Sequence, residues 1–262
     1  MSDSNRAILV VSIGERTFRN RTLNTMRSYA DRIGADLLIE REISIPFTLQ
    51  LKCKLMRFKR KKIECYLQKM LSLYKALEKF DRVLLLDDSC LVSHTAPDIF
   101  EQVPRNQIGA FPESERADFR SYNYDKKFIL KNKKININEY YNTGVLLVSK
   151  HQREIFSPRN LSKNLELFKS KYPDQAYFSY ISAIEKTNVN KLHDEWNFMP
   201  VFDYSNDSNR QLTELPNDHL RLVRQKHIIH VTGYYKKRDK IIEQINLALY
   251  NDQNVRNSLR PR

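Results

Sequence analysis

The segment Arg82 to Leu86 is a continuous apolar run that leads directly into Asp87-Asp88-Ser89. Adjacent carboxylates at the end of a buried strand are costly unless a cation or hydrogen bonds compensate their charge. Asp and Ser in this position also serve turns, by bonding the nearby backbone. Carboxylate and hydroxyl oxygens together suit a hard divalent cation, Mg2+ or Mn2+, which also binds phosphate oxygens. Such a cation neutralises a diphosphate leaving group. A second group of residues lies in IIHVTGYYKKR, where His230, Gly233 and Lys236 recur at every third position. A neutral imidazole ligates divalent cations. Glycine lets the backbone approach a phosphate closely, and lysine adds a point charge for a diphosphate.

These residues need a scaffold, and the chain has the pattern of one. Ala7 to Ile13 reads as a buried strand, Thr22 to Ile33 as an amphipathic helix stopped by Gly34, and Ala35 to Glu40 as a second strand. Lys61 to Phe80 repeats apolar residues at helical spacing and precedes the strand Arg82 to Leu86, which is apolar enough to be buried on both faces. Further strands are predicted at Gln107 to Phe111, Gly144 to Ser149 and Lys226 to Val231. Further helices are predicted at Tyr172 to Ile184 and Asp239 to Tyr250. This alternation predicts an α/β fold: one Rossmann-like domain over residues 1–250, a mainly parallel central sheet with helices on both faces, and a polar tail at 251–262. Ligands bind beyond the carboxyl ends of strands in such sheets. That places a site after Leu86, near Tyr141 to Gly144, and after Val231.

With the motifs placed, RVLLLDDSCLV resembles the DxD segment of GT-A glycosyltransferases, most closely family 8 and its relatives. In that register Asp87 matches the first Asp, Asp88 the variable position, and Ser89 stands where the second Asp is usual. HVTGYYK is similar to the family's HxxGxxK element, in which the His is a metal ligand and the Lys contacts the diphosphate. YYNTGVLLVSK resembles the family's FNSGVLLIN pattern, whose Asn faces the sugar and acceptor; Asn142, Thr143 and Gly144 match it. Tyr172-Pro173-Asp174-Gln175 is similar to the family's Asp-Gln helix start, where the Asp bonds sugar hydroxyls. Trp196-Asn197 resembles a structural segment downstream of it. Lys69 falls where relatives carry a basic residue facing the donor.

The resemblance implies a GT-A fold and transfer of a sugar from a nucleotide-diphosphate sugar, most naturally a UDP-sugar, to a glycan, protein or lipid hydroxyl. It implies Mn2+ or Mg2+ held by Asp87, Ser89 and His230, with Asp88 as the alternative to Ser89, and retention of anomeric configuration. Ser12, Ile13 and Arg16 would hold the nucleotide, with Lys69, Asp87, Asp88, Thr143, Gly144, Gly233 and Lys236 completing the donor site. Asp174 and Asn142 would serve at the reacting sugar.

Composition narrows the alternatives. At 262 residues the chain is long enough to fold without disulfides, and its three cysteines are widely spaced with no CxxC pair. A short first apolar run and no leader pattern predict a soluble, cytoplasmic protein. The net charge of +14 admits nucleic acid, an anionic membrane or an acidic small molecule as partner, and the run KCKLMRFKRKK carries much of it. Nucleic acid would need basic residues interleaved with aromatics over one surface, and only this run offers them. A nucleotidyltransferase would open with a glycine-rich loop, but SIGERTFRN holds one glycine. An inactive relative of the transferases is the remaining rival, because of Ser89.

Overall fold

The computed structural model describes residues 5–56, 63–115, 123, 125–126, 135–200, 214–232 and 238–250. Its centre is a six-stranded sheet built from β1 (Arg6–Val11), β2 (Asp36–Glu40), β3 (Arg82–Asp87), β5 (Ile108–Pro112), β6 (Tyr141–Ser149) and β7 (Val189–Lys191), in the order β2-β1-β3-β6-β5-β7. Strands β2, β1 and β3 are mutually parallel, as are β5 and β7. Only β6 runs against its neighbours, pairing antiparallel with both β3 and β5. The sheet is therefore mainly parallel, as the alternating pattern predicts.

The apolar runs explain the layering. Along β1 and β3, Ala7, Leu9, Val83 and Leu85 face one side, where they pack with α3 (Ile63–Lys79) and with a later helix at Pro173–Ile184. Ile8, Val10, Leu84 and Leu86 face the other side, against Leu23, Met26 and Tyr29 of α1 (Arg19–Ile33). Burying each such Leu or Ile contributes about 1.5–3 kcal/mol, which makes a doubly covered sheet the stable solution for these runs. Gly34 ends α1 with φ of 65°, a left-handed conformation that glycine adopts without a Cβ penalty. Arg82 is tolerated in a buried strand because its guanidinium donates to the carbonyls of Phe100 and Val103, the latter at 2.8 Å.

A smaller layer closes the carboxyl edge. Strand β4 (Cys90–Val92) pairs antiparallel with β8 (Ile228–His230), with Cys90 opposite His230. The predicted strand after Lys226 therefore exists, but it lies in this two-stranded ribbon rather than in the main sheet. Helices α7 (Asn217–Val223) and α8 (Arg238–Tyr250) cover the ribbon through Val223, Ile241, Ile242 and Ile245. Short helices α4 (Ile99–Gln102) and α5 (Pro158–Lys163) complete the outer layer, and the helix at Pro173–Ile184 is α6. Among the described residues no helix is long and apolar enough to cross a membrane.

One element is unanticipated by the sequence reading. Phe47–Leu55 forms α2, although its apolar residues alternate with polar ones in the two-residue rhythm of a strand. On a helix that rhythm spreads apolar side chains around the axis. Leu49 is buried, and Phe47, Leu51 and Leu55 are exposed.

Candidate functional site

The reversed direction of β6 builds the site. Its amino end, Tyr141 to Gly144, arrives at the edge where β1 and β3 end, and Val11 pairs with Asp87 so that those two ends are level. A cavity of about 560 Å³ opens there, lined by Ile13, Arg16, Lys69, Asp87, Asp88, Ser89, Asn142, Thr143, Gly144, Asp174, Gln175, His230 and Arg238 among others. Residues from both ends of the chain thus meet at one place. Gly233 and Lys236 lie outside the described residues.

Asp87, the last residue of β3, is the hub. Lys69 from α3 places its Nζ 2.7 Å from Asp87 Oδ1 and 2.7 Å from Asp174 Oδ2, tying β3 to the first turn of α6. His230 Nε2 is 3.2 Å from Asp87 Oδ2. Burial alone would raise the Asp87 pKa, but the Lys69 ammonium and the His230 imidazole outweigh it and hold the carboxyl well below the usual range. Burial would likewise lower Lys69, but Asp174 and Asp87 outweigh it and hold the ammonium charged above the usual lysine value. Thr143 Oγ donates to Asp174 Oδ2 at 2.7 Å.

The orientation of His230 is fixed by a chain of amides. Phe198 and His230 bond reciprocally to the Ile228–His230 strand and the 195–198 segment, which brings Asn197 beside the imidazole. The order of donors follows from Glu113, whose carboxylate only accepts. Asn142 Nδ2 donates to Glu113 Oε1 at 3.2 Å, so Asn142 Oδ1 faces the other way, where it accepts from Asn197 Nδ2 at 2.9 Å and from the Gly144 N–H at 2.8 Å. Asn197 Oδ1 is then the atom 3.1 Å from His230 Nδ1, which must donate. Nε2 is left facing Asp87. Gly144 lies against the ring itself. A Cβ there would sit 2.2 Å from His230 Cε1 and 2.3 Å from Nδ1.

This arrangement suits a divalent cation. A carboxylate oxygen and an imidazole nitrogen converge at 3.2 Å, and the far nitrogen is engaged as in metal-bound histidines. Among the described residues no three His, Cys, Asp or Glu side chains converge on one point. Ser89, which is buried and lines the cavity, is the hydroxyl nearest in sequence to the pair. A Mg2+-like ion needs only one or two carboxylates when substrate phosphates supply the rest of its shell.

Two residues proposed for the donor sit differently from their neighbours. Ser12 is buried and does not line the cavity. Its Oγ donates to Asp88 Oδ2 at 2.9 Å and accepts from Arg19 Nε at 2.9 Å. Asp88 in turn points toward Ser12 and toward Arg16, whose Nε is 3.7 Å away, rather than toward His230. Its carbonyl accepts from Thr22 Oγ at 2.8 Å, pinning the turn after β3 to α1.

Four residues that the sequence reading left out of the site belong to its framework. Asn197, read there as structural, holds His230. Glu113 anchors Asn142 and also accepts from Gln175 Nε2 at 2.9 Å. Arg238, two positions past the segment that resembles a known motif, lines the cavity. Its Nε donates to the Val231 carbonyl at 2.9 Å and its guanidinium lies 4.8 Å over the Phe18 ring. Asp125 is fully buried, accepting from Tyr140 Oη at 2.6 Å and from Ser170 Oγ. Burial pushes its carboxyl up to about 6 despite those bonds, and the Asp174 charge pushes the same way.

No protein-family model and no curated protein matches the sequence. Solved structures do match the fold. One is a glycosyltransferase involved in glycosylation of the major capsid of PBCV-1, with a TM-score of 0.55 and 17% identity over 90% of this chain and 98% of that one. Another is mouse xyloside xylosyltransferase 1, with a TM-score of 0.51 and 12% identity over 87% of this chain and 98% of that one. A third is the galactosyltransferase LgtC in complex with donor and acceptor sugar analogues, with a TM-score of 0.53 and 16% identity over 97% of this chain and all of that one. The chain, with its mostly parallel central sheet and flanking helices, thus has the GT-A fold of these glycosyltransferases.

Proposed function

We propose that the chain is a glycosyltransferase that moves a sugar from a nucleotide-diphosphate sugar, a UDP-sugar first among them, to a hydroxyl of a glycan, protein or lipid. The observation that carries this reading is the pair Asp87 and His230, 3.2 Å apart at a strand end and facing a cavity of about 560 Å³. Asp87, His230 and Ser89 would hold Mn2+ or Mg2+, which supplies positive charge to a departing diphosphate. Ile13 and Arg16, after β1, lie where the nucleotide would enter. Arg238, in the cavity wall, and Lys236, two positions earlier in sequence, are the cations for the diphosphate.

At the sugar, Asp174 has its Oδ2 committed to Lys69 and Thr143. Its Oδ1 is the oxygen for a sugar hydroxyl, which favours holding over proton removal. That division suits retention. An acceptor hydroxyl that attacks from the side the diphosphate leaves gives its proton to the departing phosphate oxygen and needs no protein base. Asn142 is positioned by Glu113 and Asn197 beside Thr143 and Gly144, where the transferred sugar would rest. This is catalysis by positioning and preorganised charge.

Thermal unfolding with UDP, GDP and CMP, each with and without Mn2+, tests the proposal. A bound nucleotide raises stability by mass action, about 2.7 kcal/mol at a hundredfold excess over Kd. UDP with Mn2+ is expected to give the largest shift, and Asp87→Ala to abolish it. No shift with any nucleotide would overturn the donor site, and a shift indifferent to Mn2+ would overturn the metal. Hydrolysis of individual UDP-sugars then identifies the sugar.

A further inference from the structure

Helix α2 exposes apolar side chains that the fold does not use. Phe47 is 74% exposed, Leu55 73% and Leu51 46%, and Ile43 in the preceding segment is 41% exposed. Spacing of four puts Phe47, Leu51 and Leu55 within one arc of the helix, less than a quarter turn wide at 100° per residue. The opposite side is anchored by buried Leu49 and by Lys52 Nζ, which donates to Ser162 Oγ at 2.6 Å on α5. The stripe is therefore held outward on a fixed helix rather than hanging on a loose one.

The charges around the stripe choose its partner. Lys54 is exposed on the same helix beside the stripe, and Arg41 is exposed ahead of it, separated from Ile43 by Glu42. In sequence the chain continues with Arg57 and Lys59 to Lys62, and its net charge is +14. Apolar tips flanked by cations fit a surface that is apolar inside and anionic at its face. A nucleic acid offers the anionic face only, and aliphatic Leu51 and Leu55 gain nothing from base stacking. A second copy of the chain would bring equal positive charge to the contact.

We infer that α2 is a membrane-docking helix that lies in the headgroup layer of an anionic lipid surface, with Phe47, Leu51 and Leu55 inserted and Lys54 and Arg41 at the phosphates. Interfacial helices bind through buried apolar area together with attraction to anionic lipid. The segment before α2 is tied to α3 by the Ser44 N–H, which donates to Gln68 Oε1 at 2.6 Å, and Cys65 and Tyr66 on the same helix line the cavity. Docking would hold the membrane against the α3 side of the cavity.

Flotation of the full chain with vesicles of phosphatidylcholine, alone or mixed with phosphatidylserine, tests the inference. Binding is expected to the mixed vesicles and to fall at high salt. The double variant F47S/L55S, altered only at exposed positions, is expected to lose at least about tenfold in partitioning, since each inserted side chain contributes on the order of tenfold or more. Its melting temperature and its response to UDP with Mn2+ serve as controls for folding and for the donor site. Equal binding to neutral vesicles, retained binding by F47S/L55S, or retention on an oligonucleotide without vesicle binding would each overturn it.

Discussion

Asn197 Oδ1 and His230 Nδ1 are 3.1 Å apart, and that bond decides which imidazole nitrogen faces Asp87. The direction of the bond is inherited from Glu113 through Asn142, three hydrogen bonds away. A side chain that never reaches the cavity thereby sets the chemistry of one that does.

Asn197 is expected to act on cation affinity through His230. Asn197→Leu should weaken Mn2+ binding roughly 10–100-fold, the usual effect of losing a partner behind a ligand. Asn197→Asp keeps the acceptor for Nδ1–H but loses the donor to Asn142 Oδ1, and should fall between the parent and the leucine variant. Titration calorimetry with Mn2+ reads both. Equal losses in the two variants would reduce Asn197 to a packing role.

Lys69 neutralises two carboxylates from different elements. Lys69→Met leaves Asp174 buried without its ion pair and should destabilise the fold by about 3 kcal/mol. Asp87, with its pKa depressed, contributes stability that is present above the unfolded value of about 3.9 and is lost as pH falls below it. Lys69, with its pKa raised, contributes stability that persists up to the unfolded lysine value of about 10.4. The gap between parent and variant in urea unfolding should therefore be flat from about pH 5 to 9 and shrink below about pH 4.

Gly144 and Gly109 separate two kinds of crowding. At Gly109 an added methyl meets Val103 Cγ2 at 2.8 Å, a buried aliphatic contact that does not line the cavity. At Gly144 it meets the His230 ring at 2.2 Å. Gly144→Ala must displace the imidazole from Asp87 and should lower nucleotide affinity in the presence of Mn2+ at least about tenfold. Gly109→Ala should cost about 1–3 kcal/mol of stability by overpacking and leave affinity unchanged. Matched affinities in the two variants would contradict the contact between Gly144 and His230.

Asp125 should be visible in the pH dependence of stability. Its carboxyl is raised to about 6 from an unfolded value of about 3.9, so the folded state holds the proton longer. Stability from this group is present below about pH 4 and is lost as pH rises through about 6. Asp125→Asn carries no such charge. Measured against it in urea, the parent should lose roughly 2–3 kcal/mol between pH 4 and 7.

The residues that touch the cavity were largely legible in the sequence because each ends or begins an apolar run. Asp87 stands out after Val83 to Leu86, Gly144 before Val145 to Val148, and His230 after Ile228 and Ile229. Strand direction was not legible, since a continuous apolar run reads the same in either sense, and the reversal of β6 is set by long-range pairing. Glu113 carries no local pattern, and Asn197 and Arg238 stand beside motif residues without a chemical signal of their own. Their roles arise from what the fold sets beside them. Helix α2 was hidden because its alternation imitates a strand, and because its apolar residues answer to a surface rather than to a core.

The meeting of Asp87 with His230 also has a consequence in time. A ribosome completes Lys69 and Asp87 early, yet the imidazole is added more than half the chain later. At roughly 5–20 residues per second that interval is on the order of ten seconds. Until then the carboxylate at the tip of β3 has no histidine to meet, and the sheet edge stays open to water while β6 and then β8 are made. The pocket is therefore one of the last features of the molecule to come into being. A nascent chain stalled before residue 228 would carry most of the scaffold and none of the Asp87–His230 pair.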